Sequence, residues 1–304
     1  MISNVALVVR LSLWVLSLPQ QEVISYLPPG AVVEEVTTYD QAGRPLETRP
    51  GIFHEDFDGD GIDEVVVVYA FDASDALKRR LYMRVMRKAK GGYELLLDYH
   101  SPGKFLFSSE GVRILDLNGD GKKELILVSS NSASLGGILT IFGFSDGQFN
   151  RLFETAGFSY SGISFQDIDG DGKLELILAA RYTGDINAPS QIFSWEGETY
   201  LLASERFHEF YKEEVQKYLE LLKRNLADEA DTLARVGVLT FIAQDYELLK
   251  DKEKAAHFYQ KVLEISETEL RKIGDENTPD ATKTTWQGYK VKALAGLKRL
   301  TSDR

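Results

Sequence analysis

The sequence predicts a mainly β fold, made of three four-stranded antiparallel repeats in a propeller-like array, followed by an α-helical C-terminal domain. The first observation is an acidic nine-residue loop that recurs at residues 56–64, 116–124 and 167–175. The loop starts are 60 and 51 residues apart, and such periods are typical of propeller blades and similar arrays. The second observation is a change near residue 204, after which Glu, Lys, Leu and Ala recur with helical spacing.

Each loop is flanked by short runs of β-branched and aliphatic residues, which predict strands rather than helices. Two further strand candidates follow in every repeat, so each repeat is expected to be a four-stranded meander whose first two strands are joined by the acidic loop. The predicted strands lie at 51–57, 64–71, 80–86 and 93–99, at 112–117, 124–130, 138–144 and 148–154, and at 163–168, 175–182, 191–197 and 199–205. Residues 22–50 are also expected to be extended, with breaks at Pro28-Pro29-Gly30 and Gly43-Arg44-Pro45.

The β-repeat domain is assigned to residues 22–203 and the helical domain to residues 204–304. Ser204 is expected to cap a first helix that runs over residues 207–226. A second helix is predicted at about 231–249 and a third at about 252–271, and a fourth starts near Pro279.

Residues 1–21 contain an apolar run that Arg10 interrupts. The stretch after Arg10 is too short to span a bilayer, and the order of charge, apolar core and polar end favours a signal peptide. A buried first strand is the alternative interpretation, because the same residues partly alternate. No other segment is long and apolar enough to predict a membrane span.

The composition is that of a globular protein, with 43% hydrophobic and 27% charged residues and a net charge of −12. This acidic balance argues against nucleic-acid binding, since contacts to phosphates need a basic surface. The chain has no cysteine, which excludes disulfides and thiolate metal sites and leaves the redox compartment undecided.

The three loops share a pattern that suits a calcium ion. Oxygen-bearing side chains occupy positions one, three and five, an acid occupies position nine, and glycines hold positions four and six. Like charges packed this closely repel one another, so a hard cation is expected between them, and the glycine at six lets the carbonyl at seven join the shell. The predicted ligands of up to three calcium ions are Asp56, Asp58, Asp60, Ile62 and Glu64; Asp116, Asn118, Asp120, Lys122 and Glu124; and Asp167, Asp169, Asp171, Lys173 and Glu175.

Three alternatives fit the loops less well. An EF-hand needs a glutamate at position twelve and a flanking helix on each side, but position twelve is Val67, Leu127 or Leu178, each inside a predicted strand. Magnesium is less favoured, because five protein oxygens would displace the waters that it keeps. Acidic β-turns without a metal are the third alternative, since Asp and Gly are common turn residues.

The loop pattern with its flanking strands resembles the calcium loops of FG-GAP and VCBS repeats, as in the integrin α-subunit propeller. The resemblance covers roughly residues 50–200 and implies a β-propeller with adhesive, ligand-binding or scaffolding roles outside the cytoplasm. The integrin-type Phe-Gly and Gly-Ala-Pro signatures are not both present, and Phe142-Gly143 is the nearest trace. Closed propellers typically need 4–8 blades, so three loops favour an open array capped by the helices. A divergent N-terminal blade or oligomerisation could instead close the ring.

Residues 239–265 resemble a single tetratricopeptide repeat. The residues at its packing positions are Leu239, Ile242, Ala243, Tyr246, Ala255, Tyr259 and Val262. The large aromatic residue expected at position 239 and the closing proline are absent, and a generic antiparallel helical pair explains the same spacing.

No other catalytic pattern is evident. The histidines at positions 54, 100, 208 and 257 form no metal-binding pair, and the chain has no phosphate-binding loop or nucleophile elbow. We therefore expect a non-enzymatic, calcium-binding, extracytoplasmic binding or scaffolding module, exported by a bacterium, whose partner is an unidentified protein or glycan. A homo-oligomer fits this expectation. The alternatives are a hydrolase of polysaccharides or phosphoesters built on the β platform, and an intracellular assembly factor that works through its helices.

Overall fold

The structure is a computed structural model that describes residues 18–39, 45–71, 80–103, 105–106, 111–130, 137–158, 162–179, 189–224, 232–273 and 280–302. Its helices are α1 (Leu18–Ile24), α2 (His208–Arg224), α3 (Thr232–Leu248), α4 (Lys252–Lys272) and α5 (Asp280–Ser302). Its strands are β1 (Val32–Val33), β2 (Glu35–Tyr39), β3 (Pro45–Pro50), β4 (Ile52–Glu55), β5 (Glu64–Phe71), β6 (Arg80–Ala89), β7 (Gly92–His100), β8 (Phe105–Leu106), β9 (Val112–Leu115), β10 (Glu124–Ser130), β11 (Gly137–Ser145), β12 (Gln148–Phe158), β13 (Ile163–Gln166), β14 (Glu175–Leu178), β15 (Gln191–Trp195) and β16 (Tyr200–Leu202).

The strands form antiparallel sheets in the predicted order along the chain. The first repeat is the meander β4-β5-β6-β7, the second is β9-β10-β11-β12, and the third is β13-β14-β15-β16. A separate two-stranded sheet, β2-β3, precedes them. The described residues thus contain four small sheets and a helical C-terminal region, and no closed propeller is formed among them.

The expectation of four strands in every repeat is wrong for the first two sheets, which have five strands each. In the first sheet, β4 pairs with only the first half of the longer β5, from Glu64 to Val67. The two-residue strand β1 pairs with the remaining half, at Tyr69 and Ala70. The short strand β8 likewise pairs with Ser129 and Ser130 at the end of β10. The extra strands satisfy backbone groups that would otherwise be buried without partners. In the third sheet all four residues of β14 pair with β13.

The three repeats stack face to face, because both faces of the second strand in each repeat are buried. In β5, Val66 and Val68 join a core cluster with the second sheet, whereas Val65 and Val67 join a cluster on the opposite face. The second sheet likewise shares a cluster with the third sheet, which includes Ile126 and Leu176. This two-sided burial explains why these strands are continuous apolar runs instead of alternating ones.

Helical segments cover the outer faces of the stack. On the first sheet, Val23 of α1 packs against Ile52, Val65 and Val67. On the third sheet, Tyr211 of α2 packs against Ile177 and Ile192. Residues 22–24 were expected to be extended but belong to α1, and residues 18–21 of the predicted leader or first strand are helical as well. The rest of that predicted segment, residues 1–17, lies outside the described residues.

The helices α2 to α5 pack around one apolar cluster. All seven residues at the tetratricopeptide-like packing positions belong to it, which is also what an ordinary helical pair would show. The predicted cap at Ser204 is wrong, because the first helix starts at His208 and the Ser204 hydroxyl accepts a hydrogen bond from the Ile192 amide instead. Of the helices that the structure describes, none combines the length and the apolar character needed to span a bilayer.

Candidate metal centres

Each acidic loop joins the first two strands of its repeat, and strands border it on both sides. The loops connect β4 to β5, β9 to β10 and β13 to β14. The residues at position twelve, Val67, Leu127 and Leu178, are buried within strands. This strand–loop–strand context differs from the helix–loop–helix context of an EF-hand.

The same network of backbone hydrogen bonds shapes all three loops. The carboxylate at position one accepts from the amides at positions four and six, for example Gly59 and Gly61 to Asp56 at 2.7 and 2.9 Å. The side chain at position three accepts from the amide at position five, and the carboxylate at position five accepts from the amide at position seven, as in Asp120 from Lys122 at 2.8 Å. These bonds fix the side chains at one, three and five toward the inside of each loop.

The glutamate at position nine is buried in every loop. Glu64, Glu124 and Glu175 are 0%, 3% and 2% exposed, at the first residue of the strand that follows each loop. One carboxylate oxygen of each accepts from the amide at position two, at 3.0, 2.7 and 2.8 Å. The other carboxylate oxygen contacts a different neighbour in each repeat, and this neighbour distinguishes the three loops from one another.

Among the described residues, two acidic clusters could hold a metal ion. In the first loop, ligand oxygens of Asp56, Asp58 and Glu64 all lie within 4.8 Å of one another. Asp167, Asp169 and Glu175 form the same arrangement in the third loop. These carboxylates are the hard oxygen donors that calcium prefers.

The remaining predicted ligands lie in the same loops but do not belong to the two clusters that could hold a metal ion. Asp60 and Asp171 sit at position five, and Ile62, Lys122 and Lys173 at position seven donate their amides within the loop. In the second loop, Asp116 and Asp120 are held as in the other loops. There the Asn118 amide nitrogen donates to Glu124 at 3.2 Å.

Burial without a cation raises the pKa of the glutamates in the second and third loops. For Glu124, burial and the nearby Asp120 and Asp116 raise the pKa to about 7. For Glu175, burial and the neighbouring aspartates of its loop raise the pKa in the same way. A divalent cation in these loops would favour the charged form of both groups.

The first loop already contains a cation, which the sequence analysis missed. Arg87 on β6 donates from its Nε to Glu64 Oε1 at 2.6 Å and from a terminal nitrogen to Asp58 Oδ2. Burial raises the pKa of Asp58, but the hydrogen bonds from Arg87 and the Asp60 amide, together with the charges of Arg87 and Lys122, outweigh burial, and the net shift is downward. For Arg87, burial lowers the pKa, but the hydrogen bonds to Asp58 and Glu64 and the charges of these two carboxylates together outweigh burial and raise the pKa. The observation that could have identified Arg87 is the strand register, which pairs Glu64 directly with Arg87.

Direct contacts join neighbouring loops. Lys123 of the second loop forms an ion pair with Glu55, just before the first loop, at 2.6 Å. The backbone of the second loop meets that of the third, where the Leu174 amide donates to the Leu117 carbonyl at 2.8 Å. The loops therefore line one edge of the stacked sheets.

The histidines take structural or exposed positions. His100 stacks on Tyr82 with ring centroids 4.8 Å apart, and His257 contacts Phe258. His54 and His208 are exposed.

Comparison with known families matches part of the β region. Residues 116–178 match the FG-GAP-like repeat, and this segment runs from the second loop to the end of β14. It contains the second and third loops complete. No curated protein matches the chain.

Proposed function

We propose that this chain is a calcium-stabilised repeat module that works outside the cytoplasm by binding a protein or glycan and not by catalysis. The observation that carries the proposal is the third loop, where the oxygens of Asp167, Asp169 and Glu175 converge. The second oxygen of Glu175 accepts a hydrogen bond from the Ser194 hydroxyl, at 3.4 Å. Such a set of oxygens fits calcium, and the match to an FG-GAP-like repeat covers this loop.

Bound calcium would neutralise the clustered carboxylates and hold the turns between the first two strands of a repeat. The second loop would use Asp116, Asn118, Asp120 and Glu124. Because the loops touch one another through Leu117 and Leu174, ordering one loop supports the next. Calcium would thus stabilise the stack as a scaffold, which suits a compartment rich in calcium.

A hydrolase is the alternative, and the described residues lend it less support. Among the described residues, Glu214 and Asp245 form one carboxyl pair outside the loops, and Asp245 is fully buried in the helical region. A fully buried Asp245 has no access to a polysaccharide. The clefts lined by described residues lie mainly on the helical region, for example around Glu247 and Arg299.

Thermal unfolding with and without calcium tests the proposal. A ligand at about 100 times its Kd adds about 2.7 kcal/mol to the free energy of unfolding, which corresponds to a rise in Tm of roughly 4 °C for a protein of this size. Magnesium at the same concentration is the control for ionic strength, and it should give a much smaller shift. A double Asp167→Asn, Asp169→Asn variant should lose part of the calcium response. An unchanged melting curve on chelation would contradict the proposal.

The compartment needs its own test. Fractionation of the native host with N-terminal sequencing of the mature chain should place it outside the cytoplasm. A cytoplasmic chain that retains residues 1–21 would favour an intracellular assembly factor.

A further inference from the structure

The three repeats differ at one structurally equivalent position, directly opposite the buried glutamate on the next strand. In the first repeat the register pairs Glu64 with Arg87. In the second repeat Leu125 pairs with Phe142, so Glu124 faces Gly143 one step further along. In the third repeat Leu176 pairs with Phe193, so Glu175 faces Ser194, and the hydrogen bond between those side chains agrees with this register. Arginine, glycine and serine therefore occupy the same place beside three similar loops.

Arg87 uses the oxygens that the backbone network leaves free in the first loop. Asp58 Oδ1 already accepts from the Asp60 amide, and Glu64 Oε2 accepts from the Phe57 amide. The other oxygen of each, Asp58 Oδ2 and Glu64 Oε1, is the acceptor of Arg87. A third carboxylate, Asp60, lies 3.8 Å from the same guanidinium. A calcium ion in this loop would need these same oxygens.

The second repeat holds Arg87 in place from the other side. The guanidinium carbon lies 5.2 Å from the centroid of the Phe144 ring on β11. Phe144 contacts Phe149, and Phe149 contacts Phe57 at position two of the first loop, both with ring centroids 5.0 Å apart. The arginine is thus enclosed by its loop and by an aromatic cluster, so a metal ion would have to displace a packed side chain or share its site with a positive charge.

The equivalent positions in the other repeats supply no such charge. A Cβ built on Gly143 would lie 2.7 Å from Leu152 Cδ1, so a side chain there would require Leu152 to move. In the third repeat Arg206 reaches Asp169 at 3.4 Å, but it is half exposed and also binds Glu196 at 2.8 Å. It lies at the rim of the third loop, whereas Arg87 contacts the buried glutamate.

We infer that Arg87 takes the place of the calcium ion in the first loop, so that the chain binds calcium at its second and third loops only. This inference rests on the proposed function, which supplies the number of calcium ions. The contacts of Arg87 identify the loop that binds none. Arg87 acts as a built-in cation that keeps the first repeat in its folded shape at any calcium concentration. It also ties the first repeat to the second through Phe144.

Counting bound calcium by equilibrium dialysis tests this inference. The wild-type chain should bind two ions, and Arg87→Ser should bind three, because the serine copies the third repeat and frees the oxygens of Asp58 and Glu64. The matched control is Arg84→Ser on the same strand. Arg84 is similarly buried and bonds Asp98 at 2.7 Å, away from the loops, so this variant should still bind two ions. The reciprocal change, Ser194→Arg, should reduce the number to one.

The outcomes separate this inference from the proposed function. Three ions on the wild-type chain would overturn the inference and leave the proposed function intact, and this count requires no variant. Two ions on both the wild type and a folded Arg87→Ser, as judged by circular dichroism, would also overturn it. No ion on the wild type but one on Arg87→Ser would support the role of Arg87 and contradict the proposed function. No ion on either chain would count against both.

Discussion

The first and second loops have nearly the same sequence pattern and the same backbone hydrogen bonds, yet their buried glutamates lie in opposite electrostatic environments. Glu64 is paired with Arg87, whereas Glu124 has the Asn118 amide and two nearby aspartates. The loop motif therefore determines the shape of the turn, and a residue on the next strand determines whether its charge is compensated. A loop of this pattern can therefore keep its hydrogen-bonded turn with an arginine as its cation.

Neutralising each glutamate in turn is the strongest test of this comparison. Glu64→Gln should destabilise the chain by about 2–4 kcal/mol in the absence of calcium, because it leaves the partly buried Arg87 guanidinium with one bonded carboxylate, that of Asp58, instead of two. Glu124→Gln should cause no loss of stability under the same conditions at pH 7, because burial and the nearby aspartates raise the pKa of Glu124 to about 7 and so already disfavour its charged form in the fold. Urea unfolding in the presence of a chelator measures both changes. Equal losses for the two variants would show that the pairing with Arg87 is unimportant.

The helical region extends the comparison with a buried carboxyl that has no hydrogen-bond partner in the described part of the chain. Asp245 on α3 is 0% exposed, and neither of its carboxylate oxygens accepts a hydrogen bond from a described residue. Burial, with a smaller effect from the Glu214 charge on α2, raises the pKa of Asp245 to about 8. Burial also raises the pKa of Glu214. Asp245 thus shows the electrostatic cost of burial without the compensation that Arg87 gives to Glu64.

Asp245→Asn should therefore stabilise the chain, by about 2 kcal/mol at pH 8, because it removes a buried ionisable group. The folded pKa of about 8 lies above the unfolded value of roughly 3.9, so the penalty is absent below about pH 4. It grows as the pH rises toward 8 and is constant above. Urea unfolding between pH 5 and pH 9 should show a flatter pH dependence for the variant.

The control for that prediction is Asp251→Asn at the N-cap of α4. The Asp251 carboxylate accepts from the Lys254 amide and pairs with the Lys254 ammonium at 2.7 Å, which lowers its pKa. Its removal should cost a few tenths of a kcal/mol to about 1 kcal/mol near neutral pH. A loss of stability in Asp245→Asn, matching that of the control, would contradict the view that Asp245 is an uncompensated charge.

Local sequence patterns predicted the loops, the strands of the meanders and the four C-terminal helices, because these features depend on neighbouring residues. The features that were missed depend on distant partners. Arg87 lies 23 residues beyond Glu64 and reaches it only through the antiparallel register. The two-residue strands β1 and β8 are too short to show any periodicity. Ser204 resembled a helix cap, but its hydroxyl accepts a hydrogen bond from the Ile192 amide of β15.

The candidate site shows the same division. The acidic side chains that converge could be chosen from spacing alone, since the turn is encoded within nine residues. The charge balance of each site could not, because it depends on side chains from the next strand, such as Arg87 and Ser194. Asp245 was also missed, since one aspartate in a helix gives no sign that neighbouring helices will enclose it.

The smallest expected effect concerns how the loops touch. The position-four glycines Gly59 and Gly119 have positive φ angles of 78° and 74°, so alanine at either position should cost about 1 kcal/mol in backbone strain. A Cβ on Gly119 would also lie 2.8 Å from the Gly172 carbonyl oxygen in the third loop, whereas a Cβ on Gly59 would meet nothing within 4 Å. Gly119→Ala should therefore cost about 1 kcal/mol more than Gly59→Ala, because two backbones must separate. Chemical denaturation with calcium removed gives the difference between the two variants. Identical losses would mean that the second and third loops are free to move apart, and that their contact does not couple the repeats.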